Sequence, residues 1–386
     1  MTPHFSKRDW FWLLFFAIGI WLFGVFVKFP QGILSSDHFP RLEYYLKLCA
    51  DPLARDIDPM LAYRITVPTI AWALKLSPTM CTLLPIVFLI AAYGVLLFVI
   101  WKRTGDGRFS IMIVAGLSLT FFAHWTNRWL GYPDSFSHLC SALGLLSSNP
   151  LILALICILG TLNDERWVFS VPFLLYWHGS SHAKAGIINW IDATRAGAGL
   201  GIGILCVLLV RHALTVGWLG PGVIEPDVYK IMRSSLLDRF RPYNSTWFLF
   251  GLNIFMGFGW YWVAGIRFIK LQLLSSCSRL WGVFLALSVF ATSLLTIAVE
   301  DVSRSVAFLY LIIIIASIFD YDAGSVEARK WWRLLLIAGA LTPTIYYTGV
   351  SGAVFIPLPI DLANQMLQQH GWPDYLSMLK VWFRLH

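Results

Sequence analysis

Charge is what this sequence has least of. Asp, Glu, Lys and Arg make up 13% of its 386 residues, against 58% hydrophobic residues and a mean hydropathy of +0.69. A soluble globular domain carries about 25% charged residues. The shortage excludes a cytosolic enzyme, a disordered regulator and a disulfide-stapled secreted module. Six cysteines are present, mostly inside apolar runs, and none form a CxxC pair, so neither a zinc site nor a disulfide framework is indicated. The chain has no P-loop, no GxGxxG, no solenoid-like repeat and no low-complexity linker. What it does have is a series of apolar runs suited to crossing a bilayer. Many of its nineteen tryptophans flank them, as expected at a membrane–water interface.

These runs predict an all-α, polytopic transmembrane protein of about eleven helices, forming a single integral membrane domain over 1–386. Trp10 to Phe29 follows Lys7 and Arg8 and is too long for a signal-peptide core, with no small-x-small site after it. It reads as an uncleaved first helix with the N-terminus in the cytoplasm. Pro30 to Met60 is too polar to span and reads as a first outer loop, 30–60. Leu61 to Leu76 is apolar but holds Arg64, Pro68 and Lys75. It reads as a re-entrant or interfacial helix, because a crossing there would put the basic loop Lys102 to Arg108 outside. Further helices are expected at 81–101, 109–125, 135–148, 150–162, 167–179, 197–216, 245–266, 280–299, 305–319 and 334–350. The other long outer segments are a loop at 217–243 and a C-terminal segment at 351–386.

The net charge of +8 fits this topology. Loops assigned to the cytoplasm hold thirteen basic and six acidic residues, while the remaining sixteen and fifteen nearly cancel. Positive residues on the inner side are topology signals, and no nucleic-acid partner is implied.

Ionisable groups at membrane depth are costly and usually functional. Asp37, Arg64, Arg128, Asp134, Asp164, Glu165, Arg166, Glu300, Asp301 and Arg304 all fall at outer helix ends. Acids and arginines gathered at one face suit an anionic, lipid-tethered substrate. Each also has a plainer reading. Asp37 after Ser35-Ser36, and Asp134 after Pro133, can cap helices. Glu165 can pair with Arg166, Arg304 can pair with Glu300 or Asp301, and Arg64 can snorkel to the interface.

Asp37-x6-Tyr44-Tyr45-x-x-Leu48, followed by Asp56-x-x-Pro59-x-x-x-Tyr63-Arg64-Ile-x-Val-Pro68, resembles the first-loop region of bacterial GT-C-type glycosyltransferases. Pro133-Asp134, Asn163-Asp164-Glu165-Arg166 and Asp301-x-x-Arg304 are similar to that family as well. The resemblance covers about residues 10–180, and 295–320 more weakly. It implies a GT-C-like fold in the bacterial inner membrane, with helices lying along the membrane after the first outer loop. It also implies a hexosyl- or pentosyltransferase. The donor would be a polyprenyl-phosphate sugar and the acceptor a hydroxyl of a glycan, lipid or protein. No cofactor is implied beyond the lipid-linked donor.

Asp37 matches the family's catalytic acid and would serve as the base. Tyr63 is itself a matched position and His38 follows Asp37; both fall in the substrate site with Asp134 and Glu165. Family members often carry a double acid where this chain has Asp37-His38, so no metal ligand set is assigned, and the pattern leaves room for a divalent metal. Arginine forks suit phosphate oxygens. Arg304 is the first choice for the phosphate, then Arg64 and Arg128. Two other functions use similar ligands. One is a transporter or flippase of lipid-linked saccharides, which calls for repeated halves. The other is an O-antigen-type polymerase or ligase, which calls for two arginine-rich outer loops; 217–243, with Lys230, Arg233, Arg239 and Arg241, supplies one.

Overall fold

A backbone surrounded by apolar groups must satisfy its own N–H and C=O groups, so apolar runs become helices. The computed structural model describes residues 7–28, 39–54, 57, 61–128, 130–180, 189–219, 246–275, 278–298, 302–347, 352–370, 373–374 and 377. Among these residues the regular secondary structure is helical apart from one short hairpin. The first helices are α1 (Lys7–Lys28), α2 (Phe39–Ala50), α3 (Thr66–Ala73), α4 (Pro78–Thr104), α5 (Gly107–Ser118), α6 (Phe121–Arg128), α7 (Asp134–Gly144) and α8 (Pro150–Asn163). A 3-10 turn, Glu165–Ser170, leads into α9 (Val171–Ser180) and α10 (Trp190–Thr215). Next come α11 (Thr246–Phe258), α12 (Tyr261–Leu274), α13 (Arg279–Ala298), α14 (Val302–Ala307), α15 (Tyr310–Ala323) and α16 (Ser325–Leu341). The antiparallel hairpin β1 (Thr344–Tyr347) and β2 (Gly352–Phe355) pairs Thr344 with Phe355, and α17 (Leu358–Gln369) follows.

Four helical runs are long and apolar enough to cross a membrane: Arg8–Lys28, Pro78–Thr104, Trp190–Thr215 and Arg304–Ala323. The pair α5–α6, bent by 59°, makes a fifth if it counts as one span. The other apolar helices are shorter; α8 has 14 residues, about 21 Å of rise. The core centres on α15, where every side chain from Phe308 to Ile314 is fully buried. A helix apolar on all sides belongs there. Small residues let neighbours close in. Gly199 and Gly203, one turn apart on α10, press against Pro150 and against Ala154 and Cys157 of α8, where a Cβ would come within 2.3 Å and 2.6 Å of its neighbours.

Several expected boundaries differ. The 30–60 segment is not all loop, because α2 forms within it. Tyr45, Leu48 and Cys49 bury one face of α2, while Glu43 and Lys47 pair at 3.6 Å on the other. The 61–76 segment contracts to the eight-residue α3, about 12 Å long and too short to span. The 245–266 helix breaks at Gly259, whose φ of +52° ends α11. The 334–350 helix starts nine residues earlier and stops at Leu341. Pro343 cannot continue it, and the chain turns into the hairpin. The 217–243 loop lies outside the described residues from 220 onward, as do Asp37 and His38.

Candidate functional site

One end of the bundle gathers a charged cluster that begins at two helix ends. α8 stops at Asn163, whose side-chain amide donates to the Pro133 carbonyl at 2.9 Å and to Ser137 Oγ at 2.8 Å. The start of α7 is thereby fixed against the end of α8. Asp164 follows in an extended conformation and accepts from the Arg166 backbone N–H at 3.0 Å, capping the 3-10 turn. Asp134 and Asp164 are thus brought close together in a dry interior, a costly arrangement unless cations answer them.

Two arginines do so. Arg304, on α14, donates from Nε to Asp134 Oδ2 at 2.6 Å and from Nη2 to the other oxygen, a two-pronged pairing. Its Nη2 also reaches Asp164 at 3.4 Å. Arg166 grips Asp164 in the same way, with Nε at 2.8 Å and Nη2 on the second oxygen, and lies 3.9 Å from Asp134. All four side chains are buried. Burial opposes the charge on Asp164, but Arg166, Arg64 and Arg304 overcome it and hold the carboxyl well below the usual carboxylate range. α14 itself is held by the next helix, where the Tyr310 hydroxyl donates to the His138 carbonyl of α7 at 2.9 Å.

A second layer of cations surrounds this core. Arg64 donates from Nη2 to Glu165 Oε1 at 3.0 Å, and its Nη1 lies 3.9 Å from Asp164. Arg211, near the end of α10, lies 3.8 Å from the other Glu165 oxygen and stacks over the Tyr63 ring at 4.7 Å. The Tyr63 hydroxyl is 3.0 Å from Thr215 Oγ1, joining the α3 approach to α10. Arg41, on α2, lies over the Tyr132 ring at 4.4 Å, and Arg304 lies 4.8 Å from the same ring. Burial, with Arg304 and Arg64 nearby, lowers Arg41 to about 10.

Two backbone features seat Arg41. Gly131 has a φ of +82°, and a Cβ there would lie 3.0 Å from the Leu42 Cα, so only glycine lets α2 come this close. Pro85, inside α4, lacks the N–H that would reach the Cys81 carbonyl; the Tyr45 hydroxyl of α2 donates to that oxygen at 3.0 Å.

Among the described residues, five guanidiniums (Arg41, Arg64, Arg166, Arg211 and Arg304) therefore face three carboxylates. The surplus is positive and lies partly or fully out of solvent. Nε and Nη2 of Arg41, and Nε and Nη1 of Arg64, are buried without a hydrogen-bond partner among the described residues. A native interior seldom leaves such donors unanswered. An anion with several acceptor oxygens is the chemistry that would answer them.

Of the residues singled out from the sequence, Arg64, Asp134, Glu165, Arg304 and Tyr63 meet in this cluster. Arg128 is the last residue of α6, and Asp37 and His38 lie outside the described residues. Asp164 and Arg166 stand out in the sequence as charges at an outer helix end without an assigned role, and Asp164 sits at the centre of the cluster. Arg211 could have been noticed as a charge inside an apolar run. Arg41 carries no local signal, since its burial depends on the approach of α2 to residue 131. No group of three or more His, Cys, Asp or Glu among the described residues is placed to hold a metal. Comparison with family models, curated proteins and solved structures finds no match to this chain.

Proposed function

We propose that this chain is a membrane glycosyltransferase of GT-C type, taking a sugar from a polyprenyl-phosphate donor at the outer face of a bacterial inner membrane. The reading takes eleven crossings, α1, α4, α5–α6, α7, α8, α9, α10, α11–α12, α13, α14–α15 and α16, running in turn between the arginine cluster and an opposite end that carries Arg103, Arg267 and Arg329; its support is the four long apolar runs, or five with the bent pair α5–α6. The basic opposite end would be cytoplasmic, with the N-terminus.

One observation carries the reading: the unanswered buried donors of Arg41 and Arg64 beside a surplus of positive charge. In the transfer, the acceptor oxygen forms a bond to the anomeric carbon as the bond to the phosphate oxygen breaks. The acceptor proton passes to a carboxylate, assigned to Asp37, four residues before Arg41. Direct displacement inverts the anomeric centre. The departing phosphate gains charge as it leaves, and guanidinium donors already in place stabilise that charge without reorganisation. Arg41 and Arg64 would hold the phosphate, while Arg304 and Arg166 hold the two aspartates beneath them.

The test uses the purified full chain with a panel of polyprenyl-phosphate sugars, reading release of polyprenyl phosphate. Asp37→Asn is expected to lower turnover about 10²–10⁴-fold. Wild-type turnover in Asp37→Asn would remove the base assignment. Failure of the wild type to bind any polyprenyl phosphate would remove the donor class.

A further inference from the structure

Ser135, next to Asp134, donates to the Pro85 carbonyl of α4, and that helix ends at Gly105 twenty residues later, about 30 Å from the arginine cluster. A cavity opens there, about 570 Å³, bounded by α1, α4, α5, α15 and α16. Its size is that of a small-molecule site. Its walls divide by chemistry. The deep part is apolar: Leu97 and Leu13 are buried, and Trp12 and Phe16 of α1 are 39% and 36% exposed at its side. The mouth is polar and carries Asp106, Arg108 and Arg329. Asp106 caps α5 by accepting from the Phe109 N–H at 3.0 Å and lies 3.2 Å from the Arg329 Nε. Arg108 is exposed and has no ion pair among the described residues. Lys102 and Arg103, at the end of α4, add positive charge close by.

α1 explains what could enter. Its outward face shows Trp10, Phe11, Leu14 and Phe15, each more than half exposed, a surface that needs acyl chains around it. The cavity lies along another side of α1, at Trp12, Leu13 and Phe16, beside the basic helix ends. An alkyl chain joined to an anion at the level of Arg108 and Arg329 matches both parts of the wall. We propose that this cavity is a binding site for one anionic phospholipid, its phosphate held by Arg108 and Arg329 and an acyl chain laid along Trp12 and Phe16. Basic pockets between helix ends bind such headgroups on electrostatic grounds. The site is independent of the reaction at the other end.

Native mass spectrometry of the full chain, released from detergent containing equal phosphatidylglycerol and phosphatidylcholine, tests this. One phosphatidylglycerol is expected to stay bound preferentially. Arg108→Gln should weaken it about fivefold, and Arg108→Gln with Arg329→Gln about thirtyfold. Arg108 has no ion-pair partner to lose among the described residues, so the single variant should keep the wild-type melting temperature and tests the site even if the double variant unfolds. Equal retention of the two lipids would overturn the proposal. So would undiminished binding by Arg108→Gln, or displacement of the lipid by millimolar glycerol phosphate, which marks a site for a soluble anion.

Discussion

The two ends of this bundle use the same residue types in opposite ways. At one end Asp134, Asp164, Arg166 and Arg304 are buried and gripped by paired hydrogen bonds. At the other, Arg329 with Asp106, Arg267 with Asp320 and Lys330 with Glu327 meet at 3.1–3.8 Å, and the basic partner of each is 44–67% exposed. Exposed pairs add little to stability. A buried ion cluster is worse for stability than the apolar packing that could replace it, yet breaking it from one side is severe. On the function proposed above, charge is kept where it costs most because the donor uses it.

The largest way to break this contrast is Asp164→Asn. It leaves Arg166, Arg304 and Arg64 facing too little negative charge, and about 3–5 kcal/mol of destabilisation is expected. A melting temperature in detergent that stays at the wild-type value would show that the cluster is not structurally bound together. Arg41→Gln sharpens the contrast. It removes a surplus cation, so folding should be unharmed while donor turnover falls about 10–100-fold. A loss of stability as large as that of Asp164→Asn would make Arg41 a structural ion instead.

Gly131→Ala should cost about 1–3 kcal/mol, since it adds both a clash with Leu42 and an unfavourable φ. Limited proteolysis within α2 should accelerate in step. Acid gives a smaller, graded effect. The carboxyl of Asp164 titrates below its unfolded value of about 3.9, so its contribution is complete above that pH and disappears as pH falls through the lower, folded value. The melting temperature should be level from pH 7 to about 5 and drop below about 4, and the drop should be shallower in Asp164→Asn. Lys330→Gln, at the exposed end, should leave the melting temperature unchanged within measurement.

Local chemistry made part of this legible. Arg64, Asp134, Glu165 and Arg304 are conspicuous because each interrupts or borders an apolar run, and in the folded chain they lie within one cluster. The breaks at Gly259 and at Leu119–Thr120 are not legible in the same way, because hydropathy continues through both while the backbone turns. The amphipathic α2 was hidden by the charges around it; only its Tyr45–Leu48–Cys49 spacing marked a buried face. Arg41 and Asp164 depend on contacts between segments far apart in the chain, such as Asn163 with Pro133, and a single-sequence pattern does not encode those.

Pro85 has a practical consequence for anyone engineering this chain. Replacing an intrahelical proline with alanine is an ordinary route to a tougher protein, and in α4 it would restore a missing rung. That rung would compete for the carbonyl that now anchors Tyr45. A Pro85→Ala variant should therefore survive heating better while letting the segment that bears Arg41 wander, so selection for thermal hardiness alone would drift toward an inert protein.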